Sequence, residues 1–359
     1  MAATTDAVWS AQGTAPDEIE AALRQLLVER HAENDKFLPA RVLNMIVFVD
    51  RQWTGEIANR LSGVGRYHAS RLVVLAYEPR RERLDARVTI ASEGDPDTSE
   101  LALLRETVVV DIGKHHLDDL LTIADPLVVT DLPTLLWSPH GHDDVVQELL
   151  ALCQAVLVDS VDDPDARDAL ERACALSDQA YVVDLAWLRS TPWRERVAGA
   201  FDAPWLRGEL PRITGVSVRH HPASTVAALL LVGWLASRLD WTVEPLHGDG
   251  GTLTGSARAG RSSTGGEDVA LRLQAAPELQ VRGLEGVTIE TASGRCLRLD
   301  RGRGGLRARS RDADGETHEW TIPGASRGET GILGEGIRQA LLRDPTYVPA
   351  VKTAYSMLP

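Results

Sequence analysis

The chain has 359 residues, 43% hydrophobic and 25% charged, the profile of an ordinary globular protein long enough for two domains. A formal net charge of −14 argues against general nucleic-acid binding, because phosphate contacts need clustered cations. Cys153, Cys174 and Cys296 are widely spaced and form no CxxC pair, and no basic-then-apolar leader is present; both point to a reducing cytoplasm.

In chain order, residues 1–15 read as a disordered tail, and 16–160 as an α/β domain. Pro16 to Asn34 predicts an amphipathic helix, with Ile19, Leu23, Leu26 and Leu27 on one stripe. Arg41 to Asp50 (RVLNMIVFVD) is a buried strand, and Gln52 to Val64 a helix. Strands are predicted at 71–77, 84–91 and 104–111. A helix follows near 115–124, then an apolar strand at 127–130 and a loop from Leu135-Leu136-Trp137 through Ser138 to Gly141. The helix 143–152 leads into the strand 155–159. Short apolar strands alternating with helices predict a largely parallel sheet.

Asp163-Pro164 starts a further helix, and 161–359 reads as an α+β domain with Trp-rich helices, an antiparallel meander and a C-terminal helix. Within it, Asp184 to Asp202 (DLAWLRSTPWRERVAGAFD) predicts a helix capped at Thr191-Pro192, with Trp193, Val197, Ala200 and Phe201 on one stripe. Val226 to Ala236 is an 11-residue apolar run closed by Arg238, too short for a membrane span and suited to a buried helix. Trp241 to Trp320 holds Gly-separated, partly alternating runs such as VALRLQA, RCLRLD and GGLRARS, the pattern of an antiparallel meander. A last helix is expected at about 331–342. Charge is divided: Asp143 to Asp184 carries 11 acids against two arginines, whereas Thr252 to Arg311 carries 11 arginines against six acids.

No reactive constellation is complete. His140, His142 and Asp144 give a partial metal pattern, but Val145 stands where a dinuclear hydrolase needs another histidine. A metal-dependent hydrolase using these three, or a sugar-phosphate binder using arginines, is the alternative reading. Neither a phosphate-binding G-x-x-x-x-G-K-[ST] loop nor a G-x-S-x-G nucleophile turn occurs, and Gly248-Asp249-Gly250-Gly251 and Gly334-Glu335-Gly336 fail as dinucleotide fingerprints. Asp159, Asp162, Asp163 and Asp165 lack the glycine and terminal glutamate of a calcium loop. Cys296 lies between Arg295 and Arg298, a setting that lowers a thiol pKa if exposed. Trp187, Trp193, Trp205, Trp234 and Trp241 fall within 55 residues; most belong to a core, and any at the surface are candidate protein anchors.

Four segments in series, ADPLVVTDLPTLLWSP (124–139), VLVDS (156–160), DLAWLRSTPWRERVAGAFD (184–202) and ASTVAALLLVGWLASRLDW (223–241), resemble the OpcA family of glucose-6-phosphate dehydrogenase assembly proteins. The resemblance extends from about residue 40 to 345. It implies a non-enzymatic activator that binds the dehydrogenase and promotes its active oligomer, supporting NADPH production in the oxidative pentose phosphate pathway. No cofactor is expected, the charge and the short apolar run argue against nucleic-acid and membrane partners, and the chain's own oligomeric state is left open. Trp187, Trp193 and Arg194, with Arg295, Arg298, Arg307 and Arg309 of the meander, are the candidate interface.

Overall fold

A computed structural model describes residues 6–33, 37–38, 41–62, 64, 70–93, 102–260, 268–323 and 328–359. The chain forms two units: residues 1–158, 179–183 and 329–343, and residues 159–178, 184–328 and 344–359. The backbone thus passes between them several times, whereas the sequence suggested one crossing near residue 160.

The first unit is built on a nine-stranded sheet: β1 (Ala7–Ala11), β2 (Phe37–Leu38), β3 (Leu43–Asp50), β4 (Ser70–Tyr77), β5 (Asp85–Glu93), β6 (Ala102–Ile112), β7 (Thr134–Trp137), β8 (Ala155–Val158) and β9 (Tyr181–Asp184). The order is β1-β5-β6-β4-β3-β7-β8-β9, with β2 beside β6. β6, β4, β3, β7 and β8 are parallel, and β5 and β1 extend one edge antiparallel. Successive strands first build outward from β3 through β4 and then restart at β7 on its other side, a doubly wound order. The continuous apolar run LNMIVFVD suits β3, because a central parallel strand is buried on both faces. Helices α1 (Pro16–Glu33), α2 (Thr54–Ser62), α3 (Leu120–Ala124) and α4 (Asp143–Leu149) belong to this unit.

Three expectations are corrected here. Residues 7–11 are not part of a disordered tail: they pair with β5 from Ala7↔Ile90 to Ala11↔Ala86, and that sheet edge supplies their hydrogen-bond partners; residues 1–5 lie outside the described ones. Residues 127–130 form a turn rather than a strand. Fully buried Asn44 holds it, donating from Nδ2 to Val129 O (2.9 Å) and accepting Val129 N at Oδ1 (2.9 Å). The predicted loop at Leu135 is instead the buried strand β7.

The second unit contains α5 (Ala166–Ser177), α6 (Leu185–Arg189), α7 (Thr191–Ala200), α8 (Pro204–Arg207), α9 (Thr225–Arg238) and, after α10 (Gly328–Leu342) has served mainly the first unit, α11 (Tyr347–Ser356). α9 is buried nearly all round, as its uniformly apolar sequence requires. It packs on α11 so closely at Gly233 that a Cβ there would collide with the Ala350 carbonyl and lie 2.9 Å from Ala354 N.

The second sheet comprises β10 (Ile213–His220), β11 (Trp241–Val243), β12 (His247–Asp249), β13 (Thr252–Ala259), β14 (Asp268–Ala275), β15 (Leu284–Thr291), β16 (Cys296–Gly302), β17 (Gly305–Arg311) and β18 (Thr317–Pro323). Its order is β11-β13-β14-β10-β15-β16-β17-β18, with β12 on β13. Apart from the parallel pair β10–β14, its recorded pairings are antiparallel, and β15 to β18 form the expected meander. α9 lies on one face, against Val216, Val218, Leu271 and Leu273.

Candidate docking surface

The Trp-rich segment that drew attention in the sequence is core. Trp187 is 2% exposed and Trp193 5%. Trp187 Nε1 donates to Asp344 Oδ2 (2.8 Å), and its ring meets Tyr347 edge-on at 5.6 Å. Arg194, 8% exposed, lies over the Trp187 ring with its guanidinium carbon 3.4 Å from the centroid. It donates to Ser190 Oγ (3.1 Å), Thr191 Oγ1 (2.9 Å) and Trp187 O (3.2 Å), and burial pulls its pKa down to about 10 against the opposing pull of Asp344. Nearby, fully buried Asp184 accepts from Ser160 Oγ (2.7 Å), Ala186 N (2.9 Å) and Tyr347 OH (3.1 Å), while burial raises its pKa. The interface role expected for Trp187, Trp193 and Arg194 is therefore corrected: all three side chains are buried within the chain, and Trp187 and Arg194 use their polar atoms there. The period of an amphipathic helix marks its buried face without saying whether the burial is within the chain or against a partner.

The four meander arginines behave differently. On the face of the second sheet away from α9, side chains alternate out of the core. Across the registered strands one row runs Arg272, Ser217, Thr288, Arg298, Arg309, Glu319, and the next Gln274, Arg219, Gly286, Asp300, Arg307, Thr321. Arg298, Arg307 and Arg309 are exposed there. Arg298 stands directly opposite Arg309, a like-charge pairing that by itself works against the sheet. Asp300 offsets it, accepting from Arg298 Nε (2.7 Å) and Arg219 Nη2 (2.5 Å), and Glu319 pairs with Arg309. Arg307 and Arg311 have no ion pair among the described residues. Arg295 lies off this face, in the β15–β16 turn, where its backbone carbonyl accepts from Thr291 N (3.0 Å).

Cys296 sits between β15 and β17 with Glu290 and Arg311 as its paired neighbours. Burial and then Glu290 raise its thiol pKa, outweighing Arg311 and Arg298, so the flanking arginines do not activate it. Burial pushes Cys153 further, to about 12.

In the first unit, the crevice at the carboxyl ends of β3 and β7 is where a doubly wound sheet binds ligands. His142 lies here in the left-handed region (φ 65°), its Nε2 3.2 Å from Asp50 Oδ1 and its ring 4.9 Å from Phe48. His140 instead turns to Trp53, ring to ring at 5.4 Å. His140, His142 and Asp144 do not bring ligand atoms together. Among the described residues only Asp312, Glu316 and His318 do so, on an exposed β17–β18 turn in which Asp312 Oδ1 already accepts Glu316 N (2.9 Å). Sheets of this order hold a dinucleotide in the same crevice. Its pyrophosphate needs glycines between strand and helix, yet the connection from β3 to α2 reads Asp50-Arg51-Gln52-Trp53. The Glu78 carboxylate, at the end of β4 where a ribose would be held, is engaged by Arg81 (3.0 Å) and Arg51 (3.8 Å). No helix among the described residues is long and apolar enough to cross a membrane.

The chain's likenesses agree with the segments read from its sequence. Residues 62–175 match the family described as glucose-6-phosphate dehydrogenase subunit N-terminal domain, and 180–351 the corresponding C-terminal domain. An OxPP cycle protein, OpcA, of Synechocystis is 34% identical over 121 residues, 32% of this chain and 25% of that protein. Its namesake of Synechococcus elongatus is 28% identical over 151 residues, 41% of this chain and 34% of that protein. The matched regions thus span about a quarter to a third of these relatives. Among solved structures, an oxidoreductase from Sinorhizobium meliloti shares the fold at a TM-score of 0.52 and 13% identity, over 89% of this chain and 94% of that one. With both domain families matched in order over most of its length, the chain belongs to the OpcA family of glucose-6-phosphate dehydrogenase subunits.

Proposed function

We propose that this protein is a non-enzymatic assembly factor that binds glucose-6-phosphate dehydrogenase and favours its active oligomer, sustaining NADPH production in the oxidative pentose phosphate pathway. The observation that carries this reading is the arginine face of the second sheet, opposite α9. Arg298 and Arg309 stand opposite each other and are offset by Asp300 and Glu319, while Arg307 and Arg311 have no ion pair among the described residues, a cationic surface suited to an acidic partner. The absence of glycines at the switch-point connection and the divergence of His140 from His142 support a binding role over catalysis in the first unit. The effect on the dehydrogenase is a population shift: a subunit that binds the active oligomer more tightly than other states raises its share by that difference in affinity.

The test is dehydrogenase activity and size-exclusion behaviour with and without this protein. Unaltered protein is expected to raise activity and co-elute with the enzyme. Replacing Arg307 and Arg309 together by glutamate is expected to abolish both effects while the melting temperature holds, since surface changes usually stay within about 0.5 kcal/mol. Absence of any complex with the unaltered protein would overturn the reading.

A further inference from the structure

Of the five tryptophans clustered between 187 and 241, Trp205 alone is thrown outward, 78% exposed, while Trp187, Trp193 and Trp241 are buried. Its setting is not a loose loop. Pro204 and Trp205 begin α8 after Ala203, a single turn closed by Leu206 N to Ala203 O (2.8 Å) and by Arg207, which reaches back to Asp202 O and Oδ1 (both 2.9 Å). The segment after it is fastened to the β15–β16 turn: Ala292 N donates to Arg212 O (2.8 Å), and Ser293 Oγ to Glu209 Oε2 (2.5 Å). Those bonds fix α8 relative to the end of the sheet that carries Arg295 and Arg311, neither of which has an ion pair among the described residues.

An indole held in water contributes almost nothing to folding, yet the chain orders the turn beneath it with a proline and two charge-assisted bonds. Tryptophan and arginine are the side chains that dominate interface energies, and ordering them in the free protein removes part of the cost of binding. We infer that Trp205 is the apolar anchor of the surface that docks on the dehydrogenase, its helix tied to the end of the sheet that carries Arg295 and Arg311. It would enter an apolar pocket with carboxylates on its rim, a partner chemistry that suits exposed Arg311, which has no ion pair among the described residues. This rests on the functional reading above and names the contact that reading leaves open.

The experiment compares the unaltered full-length chain with Trp205→Ala and Trp205→Phe, by titrating each against purified dehydrogenase and by light scattering of each chain alone. Trp205→Ala is expected to weaken the complex at least about tenfold, with Trp205→Phe in between and all three melting together. Equal affinity of all three for the dehydrogenase overturns the inference and leaves the functional reading intact. A loss confined to self-association assigns Trp205 to a second copy of this chain and also overturns it. No complex with the unaltered chain overturns both.

Discussion

The second sheet presents two faces made from the same strands. On one, Val216, Val218, Leu271, Leu273, Val287 and Ile289 are buried, with α9 packed across β10 and β14. On the other, the intervening residues Ser217, Arg272, Thr288 and Arg298 line up across the same register, away from α9. Strand alternation with a period of two writes both faces at once, so neither required a separate sequence signal. What differs is their energetic role. The covered face and its helices hold the unit together, and the other face carries arginines only partly matched by Asp300 and Glu319. Substitutions on the covered side should therefore read out in stability, and those on the other side in binding.

The largest expected effect is on the covered side. Trp187→Ala empties a buried site and frees the Arg194 guanidinium that rests on its ring, and should cost ~3–5 kcal/mol in denaturant unfolding. A cost below ~1 kcal/mol would return Trp187 to the list of interface candidates. Next is Gly233→Ala, where the new methyl must separate α9 from α11; overpacking of this kind costs ~1–3 kcal/mol, and a crystal structure should show the helices moved apart.

Smaller is a pH effect from His220 on β10, which is buried on the covered face with its Nδ1 2.9 Å from the His221 carbonyl oxygen. Burial lowers its pKa, so the unfolded imidazole takes up its proton first as pH falls. Its contribution is constant above the unfolded value of about 6.5 and turns destabilising below it. Thermal melts of His220→Phe should accordingly show a shallower loss of stability between about pH 6.5 and 5 than the parent. An identical slope would mean the ring is hydrated.

Much of the architecture was legible before any coordinates. The LNMIVFVD run of β3, the uniformly apolar α9 and the alternating arginine strands each carry a period or composition that only one environment satisfies. The boundaries that failed depended on distant partners. Ala7–Ala11 is a strand because the edge of β5 is free to pair with it, and residues 127–130 form a turn because Asn44, more than 80 residues earlier, supplies their hydrogen bonds. The candidate interface divided along the same line: Arg298, Arg307 and Arg309 gathered on one face, whereas Trp187, Trp193 and Arg194 went inside.

The sequence alone determined the periods, the apolar runs, the charge asymmetry between the halves and, through four segments in series, the family. Only the tertiary structure decided which tryptophan of the 187–241 cluster stands fully in water. Trp193 and Trp205 both sit one residue after a proline on short helices, and their local chemistry is nearly alike. Burial depends on what the rest of the chain stacks against each, and no local pattern encodes that.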